Sequence, residues 1–180
     1  MKIKTITTIA AFLFLSEGIN AQQKTPVNTG FGIGYQLVEY QNDFGFGMSV
    51  NSPYFLHNSV GLRLKANVMY NQHQMDGLSQ WTPYSNISLG VIGVAGQVTD
   101  RIRLYGEGGT ICILPSSAFS TENAIFNGYG LFGFEFFFAH IGNYFIEIGG
   151  MGGAVADRAD TKPNYSTGMT ISTGFRFFFK

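Results

Sequence analysis

The sequence predicts an all-β protein: an eight-stranded antiparallel up-and-down transmembrane β-barrel, preceded by a cleaved signal peptide. Three observations carry this reading. About eight segments alternate apolar with polar or small residues at a period of two, the spacing at which side chains leave opposite faces of a strand. The mid-strand charges fall on the small, polar face and not on the greasy one. Charged residues make up only 12% of the 180-residue chain, against about 25% in ordinary soluble domains.

The closing segment, Thr167 to Lys180, shows the pattern best. Met169, Ile171, Thr173, Phe175, Phe177 and Phe179 point one way; Gly168, Thr170, Ser172, Gly174 and Arg176 point the other. A soluble barrel would turn the first face inward. Glycines and an arginine on the second face suit a narrow lumen, which leaves the aromatic-ended face to lipid.

Met1 to Ala21 reads as a secretory signal peptide. Lys2 and Lys4 form its basic start, Ile9 to Leu15 its apolar core, and Ile19-Asn20-Ala21 its cleavage site before Gln22. The apolar run is well short of the roughly 20 residues of a spanning helix. Residues 22–180 then form one domain. Cys112 is the sole cysteine, which excludes an internal disulfide and a cysteine-based zinc site. With a formal net charge of zero, no nucleic-acid partner is expected.

In chain order, the first strand runs from about Thr29 to Tyr40, with Phe31, Ile33, Tyr35 and Leu37 opposite Gly30, Gly32, Gly34 and Gln36. Gln41-Asn42-Asp43 is a tight turn. The second strand sets Phe44, Phe46, Met48 and Val50 against Gly45, Gly47, Ser49 and Asn51, and ends at Pro53. In the third, Val60, Leu62, Leu64, Ala66, Val68 and Tyr70 face out, with Gly61, Arg63, Lys65, Asn67 and Asn71 in. Gln72 to Pro83 reads as the longest connection. The fourth strand, Tyr84 to about Val98, changes register at Ile92 and Val94, which predicts a β-bulge near Gly90 or Gly93.

After Thr99-Asp100, the fifth strand places Arg103, Tyr105, Glu107 and Gly109 inward. Pro115 to Asn123 is a serine-rich loop. The sixth strand, Ile125 to Phe138, turns four phenylalanines out and Gly133 and Glu135 in. In the seventh, Tyr144, Ile146 and Ile148 face out, and Phe145, Glu147, Gly149 and Met151 in. Ala156 to Tyr165 is a polar loop before the last strand. Connections after strands three, five and seven read as long, and those after two, four and six as short. Long extracellular loops and short periplasmic turns produce this asymmetry.

The leader, the segments Gly128 to Phe138 and Phe145 to Gly150, and the terminal GFRFFFK together resemble the small bacterial outer-membrane barrels of OmpA or OmpX type. The resemblance covers essentially the whole mature chain. It implies location in the outer membrane of a Gram-negative bacterium, contact with outer-membrane lipid, and handling by the barrel-insertion machinery. The insertion signal would be Gly174, Phe175, Phe177 and Phe179, here followed by Lys180 where the family usually ends on an aromatic residue. No peptidoglycan-binding module is expected after the barrel, and any specific surface or envelope partner would be met through the outer loops.

The candidate site is the lumen. Arg63, Lys65, Arg103, Glu107, Glu135, Glu147 and Arg176 all face it. Strand three lies across from strand seven, so Arg63 or Lys65 is placed to meet Glu147. Arg103 and Glu107 lie across from the first strand's glycines. An interior of this size is filled by side chains, and paired signs avoid the cost of a lone buried charge. A packed plug is therefore expected over a conducting pore.

No catalytic, cofactor or metal residues are assigned. His57 and His140 fall at periplasmic turns, and no two histidines have ligand spacing. Gly30-Phe31-Gly32-Ile33-Gly34 lacks the helix and lysine of a nucleotide loop. A lipid-modifying enzyme remains the rival, with His73, Asp76 and Ser79 at the outer rim. A soluble lipocalin-like barrel is a further alternative, which requires an apolar interior. Two aromatic girdles are expected, Tyr40, Phe44, Tyr70, Trp81 and Tyr84 at the outer boundary, and Tyr54, Phe55, Phe137, Phe138, Tyr144, Phe177 and Phe179 at the inner.

Overall fold

The structure is a computed structural model, and it describes residues 30–41, 43–75, 78–153 and 165–179. The signal segment, Asp76 and Lys180 lie outside the described residues, as does most of the loop before the last strand. Eight strands follow one another: β1 (Phe31–Tyr40), β2 (Asp43–Asn51), β3 (Val60–Met75), β4 (Leu78–Thr99), β5 (Ile102–Leu114), β6 (Ile125–Ala139), β7 (Gly142–Gly153) and β8 (Gly168–Phe179). Each pairs antiparallel with its sequence neighbour, and β1 pairs with β8 to close the barrel. Closure gives every wall strand two partners, so within the wall no backbone edge is left open to hydrocarbon.

Side chains alternate across the wall as expected. Phe175 and Phe177 on β8, Leu62 and Leu64 on β3, and Leu89 and Val91 on β4 stand exposed on the outside. Arg63, Glu135, Glu147 and Arg176 are almost completely buried inside. This orientation excludes the lipocalin-like alternative, whose interior would have to be apolar. Among the described strand residues, Glu39 is the charge that faces outward; its register partners are Phe44 and Ile171 near the loop end of the barrel.

Three expectations about the wall need correction. Gln72 to Pro83 is not a long loop, because β3 and β4 continue as a paired ribbon up to Met75 and Leu78. Gln72, Ser79 and Gln80 are exposed there on a protruding hairpin and so do not break the strands. No bulge sits at Gly90 or Gly93: Ile92 alternates regularly and points into the lumen, where it packs with Tyr54 and Tyr105. The register shifts come later, between Val94 and Gly96 and between Gln97 and Thr99. Finally, the connection from β2 to β3 is not short. It spans residues 52–59 and bends through Leu56, His57 and Asn58, all at positive φ, while the connections after β4 and β6 have two residues each.

The girdles are also thinner than expected. Phe44, Tyr70 and Trp81 do cluster on the outside, with Phe44 stacked on Tyr70 at 5.4 Å. Near the terminal end, Phe138 meets Phe175 and Phe177, and Tyr144 meets Phe175. Tyr40, Tyr84, Tyr54 and Phe137, however, are buried inside. Strand parity puts Tyr40, Tyr84 and Phe137 in the lumen, whatever their height in the membrane, and Tyr54 reaches it from the β2–β3 connection.

Candidate functional site: the ion-packed lumen

Strands from every quarter of the barrel send charge to one buried cluster. Arg63 and Lys65 come from β3, Arg103 and Glu107 from β5, Glu135 from β6, Glu147 from β7 and Arg176 from β8. Arg63 Nη1 reaches Glu107 Oε2 at 2.5 Å and Glu147 Oε1 at 2.7 Å. Lys65 Nζ lies 2.9 Å from Glu107 Oε1 and 3.5 Å from Glu147 Oε2. Both of the cations placed to meet Glu147 therefore do so. Arg103 Nη2 pairs with Glu135 Oε2 at 2.5 Å, and Arg176 bridges Glu135, at 3.0 Å, to Glu147.

The seven charges form one connected network. Hydroxyl groups complete it: Tyr105 donates to Glu147 Oε1 at 2.5 Å, Ser172 to Glu147 Oε2 at 2.7 Å, and Tyr129 to Glu107 Oε1 at 2.6 Å. Asn51 accepts from Arg63 Nε at 2.5 Å. Four of the six carboxylate oxygens of Glu107, Glu135 and Glu147 thus face two or more donor groups. Such a set repays the desolvation of burying charge, which an isolated pair often fails to do.

Glycines make room for the network, but not where the sequence placed it. A side chain at Gly90 would collide with Glu107 and Tyr129, and one at Gly133 with Tyr105 and Glu147. On β1, Gly34 makes room for Arg176 and Ser49. Arg103 does not use the β1 glycines. Its guanidinium lies 4.7 Å from the Tyr54 ring centroid and 5.1 Å from that of Phe137. Arg176 stacks more closely, at 3.5 Å, over Phe145. Tyr54 and Phe137 are aromatics that the girdle reading put at the inner boundary, whereas Phe145 faces in as its strand pattern predicts.

Away from the ions, towards the loop end, the lumen changes character. Gln36 donates to Asn67 Oδ1 at 2.6 Å, and Asn67 to Asn86 Oδ1 at 2.8 Å, an amide ladder across β1, β3 and β4. An apolar cluster includes Val38, Met69, Ile111, Ile113, Ile125 and Met151. Phe119, from the β5–β6 loop, and Tyr165, preceding β8, fill its mouth against Tyr84. Asp43 is buried there and accepts from Asn71 and from the Tyr84 hydroxyl at 2.9 Å. The network partners Tyr105, Ser172 and Asn67 share strand parity with the charges, which is the signal that identifies them. Phe119 and Tyr165 lie outside the strands, where no periodic pattern marks them.

The described rim residues, His73 and Ser79, do not form a catalytic pair. His73 is buried in the mouth beside the Phe119 ring, at 5.7 Å between centroids. Ser79 lies on the opposite face of the hairpin, exposed and bonded to Gln72. A base and a nucleophile on opposite faces of one ribbon cannot share a proton. Among the described residues, no group of three or more His, Cys, Asp or Glu is placed to hold a metal.

Solved structures share this architecture. The N-terminal β-barrel domain of Pseudomonas aeruginosa OprF superposes with a TM-score of 0.61 at 15% identity, covering 84% of this chain and 98% of that one. The outer membrane protein OprG from the same organism gives 0.55 at 12% identity, covering 84% and 97%. No protein-family model matches the sequence, and no curated protein does. At these identities the likeness is one of fold: a closed antiparallel barrel of the small outer-membrane type, with its apolar belt outside.

Proposed function

We propose that this chain is a non-enzymatic integral protein of a Gram-negative outer membrane, whose barrel is closed by its own side chains. It serves as a membrane-held scaffold in the envelope, for structure, surface interaction or as an accessory part of a transport or secretion assembly. The observation that carries this reading is the connected ion network inside an apolar belt, with loop aromatics packed in the mouth above it. A lumen filled in this way leaves no solute path, and the exposed parts are then the hairpin, the loops and the lipid-facing wall. On this reading both chain ends are periplasmic, and the β3–β4 ribbon projects outward with Trp81 and Leu78 exposed.

The lipid-facing residues of β8 fit the further role of an insertion signal. Phe175, Phe177 and Phe179 all face outward, and a side chain at Gly174 would strike the carbonyl of Tyr35 on the partner strand. Purification in detergent, heat-modifiable gel migration and planar-bilayer conductance test the proposal together. A heat-modifiable β-rich species with negligible current is expected; a large steady current overturns the closed lumen.

A further inference from the structure

Where the ion network meets the apolar layer, the lumen wall leaves a small, largely enclosed cavity of about 20 Å³. Gln36, Lys65, Ser88, Thr170 and Ser172 line its polar side, and Ile111, Leu131 and Met151 its apolar side. One water needs roughly 10–15 Å³ measured in this way, with two to four polar partners. The volume admits one such molecule and nothing much larger.

The chemistry of the lining is unbalanced in a specific way. Two of the three N–H groups of Lys65 are taken by Glu107 and Glu147. Gln36 commits its amide N–H to Asn67, and its carbonyl oxygen is buried without a hydrogen-bond partner among the described residues. A donor and an acceptor thus border the same cavity, both nearly buried. An orphaned buried acceptor costs about 1–3 kcal/mol.

We infer that this cavity is a binding site for one neutral molecule that both donates and accepts, namely a structural water between Lys65 Nζ and Gln36 Oε1. Its oxygen accepts from the ammonium; its protons go to the Gln36 carbonyl and to a lining hydroxyl. An anion is disfavoured, because Glu107 and Glu147 already crowd the ammonium and the Gln36 oxygen is negative. A cation is repelled by Lys65. Within the ion network four cations (Arg63, Lys65, Arg103 and Arg176) face three carboxylates (Glu107, Glu135 and Glu147), and the bound dipole would solvate the Lys65 ammonium.

The site rests on the filled lumen, and the two are tested separately. High-resolution crystals of the detergent-purified barrel, with and without a bromide soak, give the occupant directly. A single non-anomalous peak within about 3 Å of both Lys65 Nζ and Gln36 Oε1 is expected. A dry cavity, or bromide in it, overturns the site while leaving a non-conducting barrel intact. In solution, water relaxation dispersion should lose one long-lived water in Gln36→Leu. Thr170→Val leaves the amide ladder untouched and should shorten that water's residence; an unchanged signal in both variants overturns the inference.

Discussion

Glu147 receives Arg63, Lys65, Arg176, Tyr105 and Ser172 on its two oxygens, so its neutral replacement strands more than one cation. Glu147→Gln is expected to lower stability by about 3–5 kcal/mol, the range for removing one partner of a buried ion set. Urea unfolding of the detergent-solubilised barrel measures it; a loss under 1 kcal/mol would show that the network is dispensable. Arg103 is the contrasting case, since it leans on Tyr54 and Phe137 as well as on Glu135. Because these charges are buried, salt screens them poorly. The wild-type unfolding midpoint should therefore change little between low and high ionic strength, whereas a network resting on exposed pairs would weaken.

Along the strands, alternation dictates where a substitution is tolerated. Leu64 sits in the middle of β3 and faces out. Leu64→Arg is expected to cost about 2–4 kcal/mol in a bilayer, whereas Gln72→Arg, on the protruding part of the same strand, should be neutral. Comparing the two variants in lipid vesicles separates membrane depth from strand identity. Close strand approach sets a second rule. At Gly174 a Cβ would lie 1.9 Å from the Tyr35 carbonyl, and at Gly47 it would lie 1.9 Å from the Asn67 side chain. Gly174→Val meets rigid backbone and should slow or abolish folding, as read by heat-modifiable migration. Gly47→Ala meets the Ala66 carbonyl at 2.5 Å as well as the Asn67 side chain of the amide ladder, and should impair folding too.

At the scale of the whole molecule, the proposed closed lumen has two layers of filling that are expected to fail independently. The ion layer lies among β3, β5, β6, β7 and β8; the aromatic mouth depends on Phe119 and Tyr165, which come from loops. Phe119→Ala removes a buried ring from the mouth and should loosen the loop, raising its protease sensitivity, without opening a current, because the ions still block the bore. Only a variant that breaks both layers, such as Phe119→Ala with Glu147→Gln, is expected to show conductance bursts in planar bilayers. Bursts from Phe119→Ala alone would place the barrier in the mouth.

The sequence alone determined the strand count, the inward and outward faces, and the seven charges of the ion network, though not the buried Asp43, which it placed in a turn. All three follow from local alternation, which survives without knowledge of any partner strand. Ile92 shows the limit of that reasoning. An apolar residue in a polar register suggested a bulge, whereas the lumen has an apolar lining that accepts it. The length of the β3–β4 ribbon was equally hidden, since its polar exposed residues carry no burial pattern to distinguish strand from loop. Tertiary structure decided which charge meets which, that Tyr54 and Phe137 clasp Arg103, and that Phe119 and Tyr165 close the mouth. These contacts join strands far apart in sequence and depend on register and closure, which parity along a single strand does not encode.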